Sequence, residues 1–283
     1  MSGKSQAFLP ALMGALLLLA FGLSNKHLLS MPRDIESGEM AVKLPVVAQV
    51  LLAGGDRYLA AFMGTLRALV ADIQHMTPDE FALQARIQED VAWLNPAHED
   101  NYYIAAAVLP WNGQIEASQY ILTRAADARP FDWQPPFYVA FNHYYFLKDP
   151  IAGARWLRRA SAHTESEQHR LAFQQIAALW AAKSPDLQMA IRLHEELIES
   201  TKHREFAAFL EKRIQRLRNL LEIEKASVRY TDKQGTGPKS VGDLVVAGVL
   251  GEVPSDPFGM QYGLDANGAP AVVAPAQPAR KGR

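Results

Sequence analysis

From Leu44 to Leu221, apolar side chains recur mostly at every third or fourth position, which gathers them on one face of a helix. The pattern is densest from Phe131 to Ser161. Phe137, Phe141, Tyr144 and Tyr145 fall on one face there, and Pro135-Pro136 suits a first helical turn, because proline has no amide hydrogen to leave unpaired. Lys148-Asp149-Pro150 breaks the helix. A second helix is expected from Ile151, with Gly153, Ala154, Leu157 and Ala160 together on one side. Small residues on that side let the two helices approach closely, so the stretch reads as a helical hairpin, with Trp156 expected between neighbouring hairpins.

The hairpin recurs. Helices are expected over 100–109 and 114–126 about the turn Pro110-Trp111-Asn112-Gly113, and over 165–182 and 187–200 about Ser184-Pro185-Asp186. Ile115, Ala117, Tyr120 and Ile121 match Ile151, Gly153, Trp156 and Leu157 at a shift of roughly 36 residues, the mark of a stacked array. An irregular helical bundle fits the same spacing. The region from 100 to 200 resembles the tetratricopeptide repeat family. Aligned on Gly153, Phe137 and Tyr144 occupy consensus-like places, whereas Phe141 stands where that family usually has a small residue. The resemblance implies an α-solenoid whose first helices line a concave binding surface. Trp111, Tyr138 and Tyr145 are the anchors expected to meet a protein partner on it.

Further helices flank the array. Leu44 to Leu52 is an apolar run stopped by Ala53-Gly54-Gly55, and Asp56 can cap a helix over 57–73. Thr77-Pro78-Asp79-Glu80 is a capping box with proline at the first helical position, opening a helix to Leu94. After the repeats, a charged helix over 204–226 carries the stripe Phe206, Phe209, Leu210, Ile214, Leu217 and Leu221. Its basic side offers a surface for anionic lipid or an acidic partner.

The N-terminus differs. Ala7 to Leu23 holds no charge and lies at the short limit for a spanning helix of about 17 residues. It reads as an uncleaved anchor, with a cleaved signal peptide as the alternative. Ala7, Ala11 and Ala15 recur every fourth residue beside Gly14, a small-residue face suited to helix packing in a bilayer. The expected location is a bacterial inner membrane, single-pass, with a periplasmic body.

Beyond residue 240 the pattern changes again. Ser240 is expected to cap a short helix to Leu250. Met260–Leu264 and Ala269–Val273 can pair as a hairpin about Asp265-Ala266-Asn267-Gly268. Phe258 and Tyr262 are expected to cover Leu244, Val245 and Leu250, docking the hairpin on this helix, with the last repeat a lesser contact. The phrase Ala247, Gly248, Leu250, Pro254, Asp256, Pro257, Phe258, Gly259, Tyr262 resembles the C-terminal segment of type II secretion pseudopilins. The prepilin-peptidase signature and the downstream residues of the pseudopilin calcium loop are missing. The resulting division is a membrane anchor over 1–30, a linker over 31–43, a helical repeat domain over 44–227, a linker over 228–239, a C-terminal module over 240–273 and a disordered tail over 274–283. The fold class is mainly α.

Composition adds exclusions. The formal charge of −1 gives no pull towards nucleic acid, and the absence of cysteine removes disulfides, thiolate metal sites and a cysteine nucleophile. His98-Glu99-Asp100 is the densest polar cluster, read as a helix start. His143 reads as a core histidine, and His194 lacks the second histidine of a zinc-binding H-E-x-x-H pair. No catalytic residue, metal site or cofactor is expected. The function expected is a membrane-anchored scaffold for protein–protein interaction in an envelope assembly such as a pilus or secretion system. The alternatives are an accessory subunit packed on a membrane enzyme, and an exported solenoid binding peptide or glycan.

Overall fold

The computed structural model describes residues 13–14, 16–26 and 42–274. They fall into two units divided between Glu39 and Met40. In the first, helix α1 spans Leu16–Lys26. Of the expected anchor over 7–23 only the later part is described; Ala7, Ala11 and Ala15 lie outside the described residues. No single helix among the described residues is long and apolar enough to cross a membrane.

The second unit is mainly helical, with a small antiparallel sheet at its end. In order it runs α2 (Val46–Leu52), α3 (Arg57–Val70), α4 (Pro78–Leu94), α5 (Glu99–Val108), a 3-10 turn (Pro110–Asn112), α6 (Ile115–Ala128), α7 (Gln134–Tyr145), α8 (Pro150–Ala162), α9 (Glu167–Ala181), α10 (Leu187–Ser200), α11 (Arg204–Gln234), α12 (Val241–Val246), β1 (Gln261–Leu264) and β2 (Pro270–Val273). The expected caps form. Asp56 accepts from the amides of Tyr58 and Leu59, while Thr77 with Glu80 and Ser240 with Asp243 close capping boxes.

Helices α5, α7, α9 and α11 begin at 99, 134, 167 and 204, steps of 35, 33 and 37 residues. Each packs on its sequence neighbours, and alternate helices also touch, α3 with α5, α4 with α6 and α8 with α10. Odd-numbered helices thus form one layer and even-numbered helices the other. Links reach across one repeat. Tyr102 donates to Asp132 at 2.7 Å, Arg124 to the Ala92 carbonyl at 2.9 Å, and Arg159 to Asp127 at 2.6 Å. Burial pushes the Asp132 carboxyl up, but bonds from Tyr102, the Gln134 amide and Arg129 hold it below the ordinary value on balance.

Gly153 shows why α7 and α8 approach so closely. A Cβ there would stand 3.1 Å from both the Ala140 carbonyl oxygen and the Trp180 ring. The fully buried residues of α8, Ala154, Leu157 and Ala160, share its face. Trp156 is half-buried between two core clusters, with Arg159 5.0 Å above its ring. The aromatic face of α7 is less buried than its spacing suggests: Pro135, Pro136, Val139, Ala140 and Asn142 are its buried residues, and Tyr145 is exposed.

The C-terminal region departs from the expectation. Helix α11 continues to Gln234, through residues expected to begin a linker, and ends on Gly235 in the left-handed conformation. Helix α12 is shorter than foreseen, and α3 stops at Val70 rather than Ile73. The hairpin pairs Tyr262 with Val272 and Leu264 with Pro270. Its chief support is α11, not α12 alone: Ile223 and Ala226 of α11 share a core with Val241, Leu244, Leu250 and Tyr262. Phe258 takes no part in that core. It packs edge-on to Phe209 at 5.7 Å, with Arg216 4.4 Å over its ring.

One carboxylate fastens this end. The Asp256 side chain is fully buried and receives both Arg216 bonds, at 2.7 and 2.6 Å, plus the amides of Phe258 and Met260 and the Tyr262 hydroxyl. Arg216 and those amides hold its carboxyl well below the usual range. Asn219 donates to the Ser255 carbonyl at 3.0 Å and to the Tyr262 hydroxyl at 3.1 Å. Gly259 follows at φ 75°, where a side chain would be strained.

Candidate functional site

Trp111 and Tyr145 come together. Trp111 follows α5 on the 3-10 turn and is 57 % exposed; Tyr145 closes α7 and is 45 % exposed. Their rings lie 5.5 Å apart, and Phe146 stands edge-on to Trp111 at 4.9 Å. Phe141 stacks on Tyr145 at 5.3 Å and 8°. Lys148 sits at φ 55°, the one non-glycine with positive φ among the described residues, and its ammonium lies 5.1 Å from the Tyr145 ring centre. Tyr138 does not join this patch. It is half-buried against Tyr103 and Phe137, and burial pushes its phenol up.

The aromatic contacts continue along the odd layer. Phe137 meets Phe173 at 5.8 Å, and Tyr144 stacks on Trp180 at 4.2 Å and 7°. They lead towards an open groove of about 740 Å³ between α9 and the start of α11. Leu179 and Phe209 give it exposed apolar walls; Lys202, Arg204 and Arg213 give it cations, and Glu205 one acid. Arg213 lies 5.2 Å from the centre of the Phe209 ring. Desolvation, then repulsion from Arg216, lowers its affinity for its proton. Arg216 is neutralised by Asp256, whereas no carboxylate among the described residues bridges Arg213. A ligand presenting a carboxylate beside an apolar group would supply the missing counter-charge.

The sequence reading missed this groove. Phe209 and Arg213 were visible as an apolar stripe and its basic flank. Nothing in one helix's periodicity shows that Phe209 lies at the edge of the stripe, left open by α9.

The polar cluster at His98 packs into the fold. Its ring lies 6.4 Å from that of Phe62, and Glu99 pairs with Arg129 at 2.9 Å. Helix α5 begins at Glu99 with His98 at the cap position, so Asp100 does not cap it. Burial depresses the basicity of His98, His143 and His194; His194 also bonds the Ala190 carbonyl through Nδ1 at 2.7 Å. No three acids or histidines among the described residues are grouped to hold a metal ion.

Comparison with protein-family models, with curated proteins and with solved structures finds no match to this chain.

Proposed function

We propose that this protein is a membrane-anchored helical-repeat scaffold whose odd-helix layer binds another protein. The observation that carries the reading is the open aromatic patch of Trp111, Tyr145 and Phe146, continued by stacked rings towards the cationic groove at Arg213. Exposed, mutually stacked aromatics beside unneutralised cations have the composition of interface anchors. The recurrence of helix pairs at 33 to 37 residues supports a tetratricopeptide-like array. The uncharged run from Ala7 to Leu23 supports a membrane anchor, and the six-residue tail before it, like that of an export signal, favours a periplasmic body. The pseudopilin-like phrase around Asp256 directs the partner assignment towards a pilus, secretion or other envelope assembly.

Site-specific photo-crosslinking in the native membrane tests this. A photoreactive residue at Trp111 or at Tyr145 should yield the same discrete heterologous adduct, and one at Lys225 should not. Arg213→Glu should weaken the adduct by about tenfold, the effect of losing a charge contact of roughly 1.4 kcal/mol. Equal labelling from all three positions, or none from the aromatic pair, would exclude this surface.

A further inference from the structure

Helix α3 is apolar on two sides. Its inner side is small, with Ala60, Ala61, Thr65 and Ala68 buried, and a Cβ on Gly64 would come within 2.7 Å of Val91 on α4. Its outer side is large: Leu59, Phe62, Met63, Leu66, Leu69 and Val70 are 45 to 65 % exposed. Their spacings of three, four and one place them along one continuous face. Helix α2 adds Val47, Leu51 and Leu52, each above 70 % exposed, and buries no residue.

Polar groups of the pair turn back into protein. Gln49 donates to the Leu44 carbonyl and to Asp90, Arg57 to the Leu94 carbonyl at 2.6 Å, and Thr65 to the Ala61 carbonyl. Arg67 is the only other charged residue from Arg57 to Val70. Eleven exposed large hydrophobics thus lie within the 27 residues from Val47 to Ile73, a density found nowhere else in the second unit. A helix apolar all round belongs inside an apolar medium, and half of α3 already has α4.

We propose that the outer face of α2 and α3 rests in the interfacial layer of a lipid bilayer. The two helices together are apolar enough for a membrane span, but they bend by 106° at their break, so they suit lying in the surface rather than crossing it. The sequence supplies the second reason. Helix α1 exposes Leu16 through Leu19, Phe21 and Leu23 on all its sides, with no polar stripe to serve as a soluble partner for α3. Fifteen residues, 27 to 41, follow it before the second unit is described, a chain that reaches at most about 50 Å. That chain length is the most that can separate the start of the second unit from a bilayer entered by α1. The inference rests on the anchoring half of the proposed function.

The chain has no cysteine, so single cysteines can be placed without background. Phe62→Cys, Leu66→Cys and Leu69→Cys in the full chain would carry a nitroxide, with Glu222→Cys on α11 as the water-facing control. In vesicles of phosphatidylcholine and phosphatidylglycerol, the three α3 labels should collide with oxygen in preference to a water-soluble nickel chelate. The Glu222→Cys label should show the reverse order. Nickel access at all four positions in protein that floats with the vesicles would overturn the proposal and leave anchoring intact; failure to float would remove both. Shielding of the α3 labels from both reagents would mean protein covers the face, and dipolar broadening would mean a second copy does; each overturns it. Circular dichroism identical to that of the parent chain checks that each variant folds.

Discussion

Among the described residues of the second unit, protein closes the helical stack at its C-terminal end and not at its N-terminal end. In the second half of the last helix, α11, the inward residues Ile223 and Ala226 are covered, because α12 and the hairpin share a core with them and the Arg216–Asp256 pair locks the module down. Among the described residues, the first helices, α2 and α3, pack chiefly on α4 and α5 and present leucine, phenylalanine and valine outward. A solenoid terminus normally needs a polar outer face. One end is covered by a module, while the other leaves an apolar surface.

The largest effect expected from testing this contrast is at the closed end. Asp256→Asn keeps the shape but leaves the Arg216 guanidinium, 19 % exposed, without its counter-charge, which should cost about 3 kcal/mol in urea unfolding. The pH dependence should follow. Because the fold holds the Asp256 carboxyl below its ordinary value, its contribution is fully present above the unfolded-state value of about 4 and is lost as pH falls further. The parent chain should lose stability on that acid limb more steeply than Asp256→Asn. Equal slopes would mean that the ion pair does not hold the module.

A smaller effect is expected inside the open end. Gly64→Val should cost about 2–3 kcal/mol by overpacking, because the added side chain must displace Val91, and Gly153→Val should do the same between Ala140 and Trp180. If Gly64→Val proved neutral while Gly153→Val did not, α3 would not be seated on α4 as α8 is on α7. The smallest effect should come from the outer face. Leu66→Ser should change stability in water by less than about 0.5 kcal/mol, since that side chain is 46 % exposed and outside the core clusters. A loss above about 1.5 kcal/mol would show the leucine to be buried by protein in solution.

Much of the fold can be read from local signals. The caps at Asp56, Thr77 and Ser240, the breaks at Lys148-Asp149-Pro150 and Ser184-Pro185-Asp186, and the hairpin turn at Asp265–Gly268 each depend on a few adjacent residues. The spacing of the helix pairs is legible because α6, α8 and α10 bury an apolar residue at matching places, Ile121, Leu157 and Leu193. The end of α11 was not, since residues 227–234 are mostly polar and the contacts of Arg229 and Tyr230 with the module reach residues distant in sequence. Of the surface anchors, Trp111 and Tyr145 meet as neighbours across a repeat, whereas Tyr138, on the same helix as Tyr145, turns towards Tyr103. Sequence names the aromatic residues on a helix, but which of them the next hairpin covers is set by packing angle. The groove at Arg213 was illegible for a related reason, because it is a gap between two helices.

The reach of the cross-links has a consequence for how the chain acquires its shape. Tyr102–Asp132 and Arg159–Asp127 join residues 30 and 32 apart, and Asn219–Tyr262 joins residues 43 apart. Each helix pair is therefore tied to the one before it by contacts of short sequence separation, and the loop-closure cost of each tie stays low. Helix α11 is the exception. Its inward residues Ile223 and Ala226 share a core with residues as far on as Tyr262, so no preceding helix pair can complete that core.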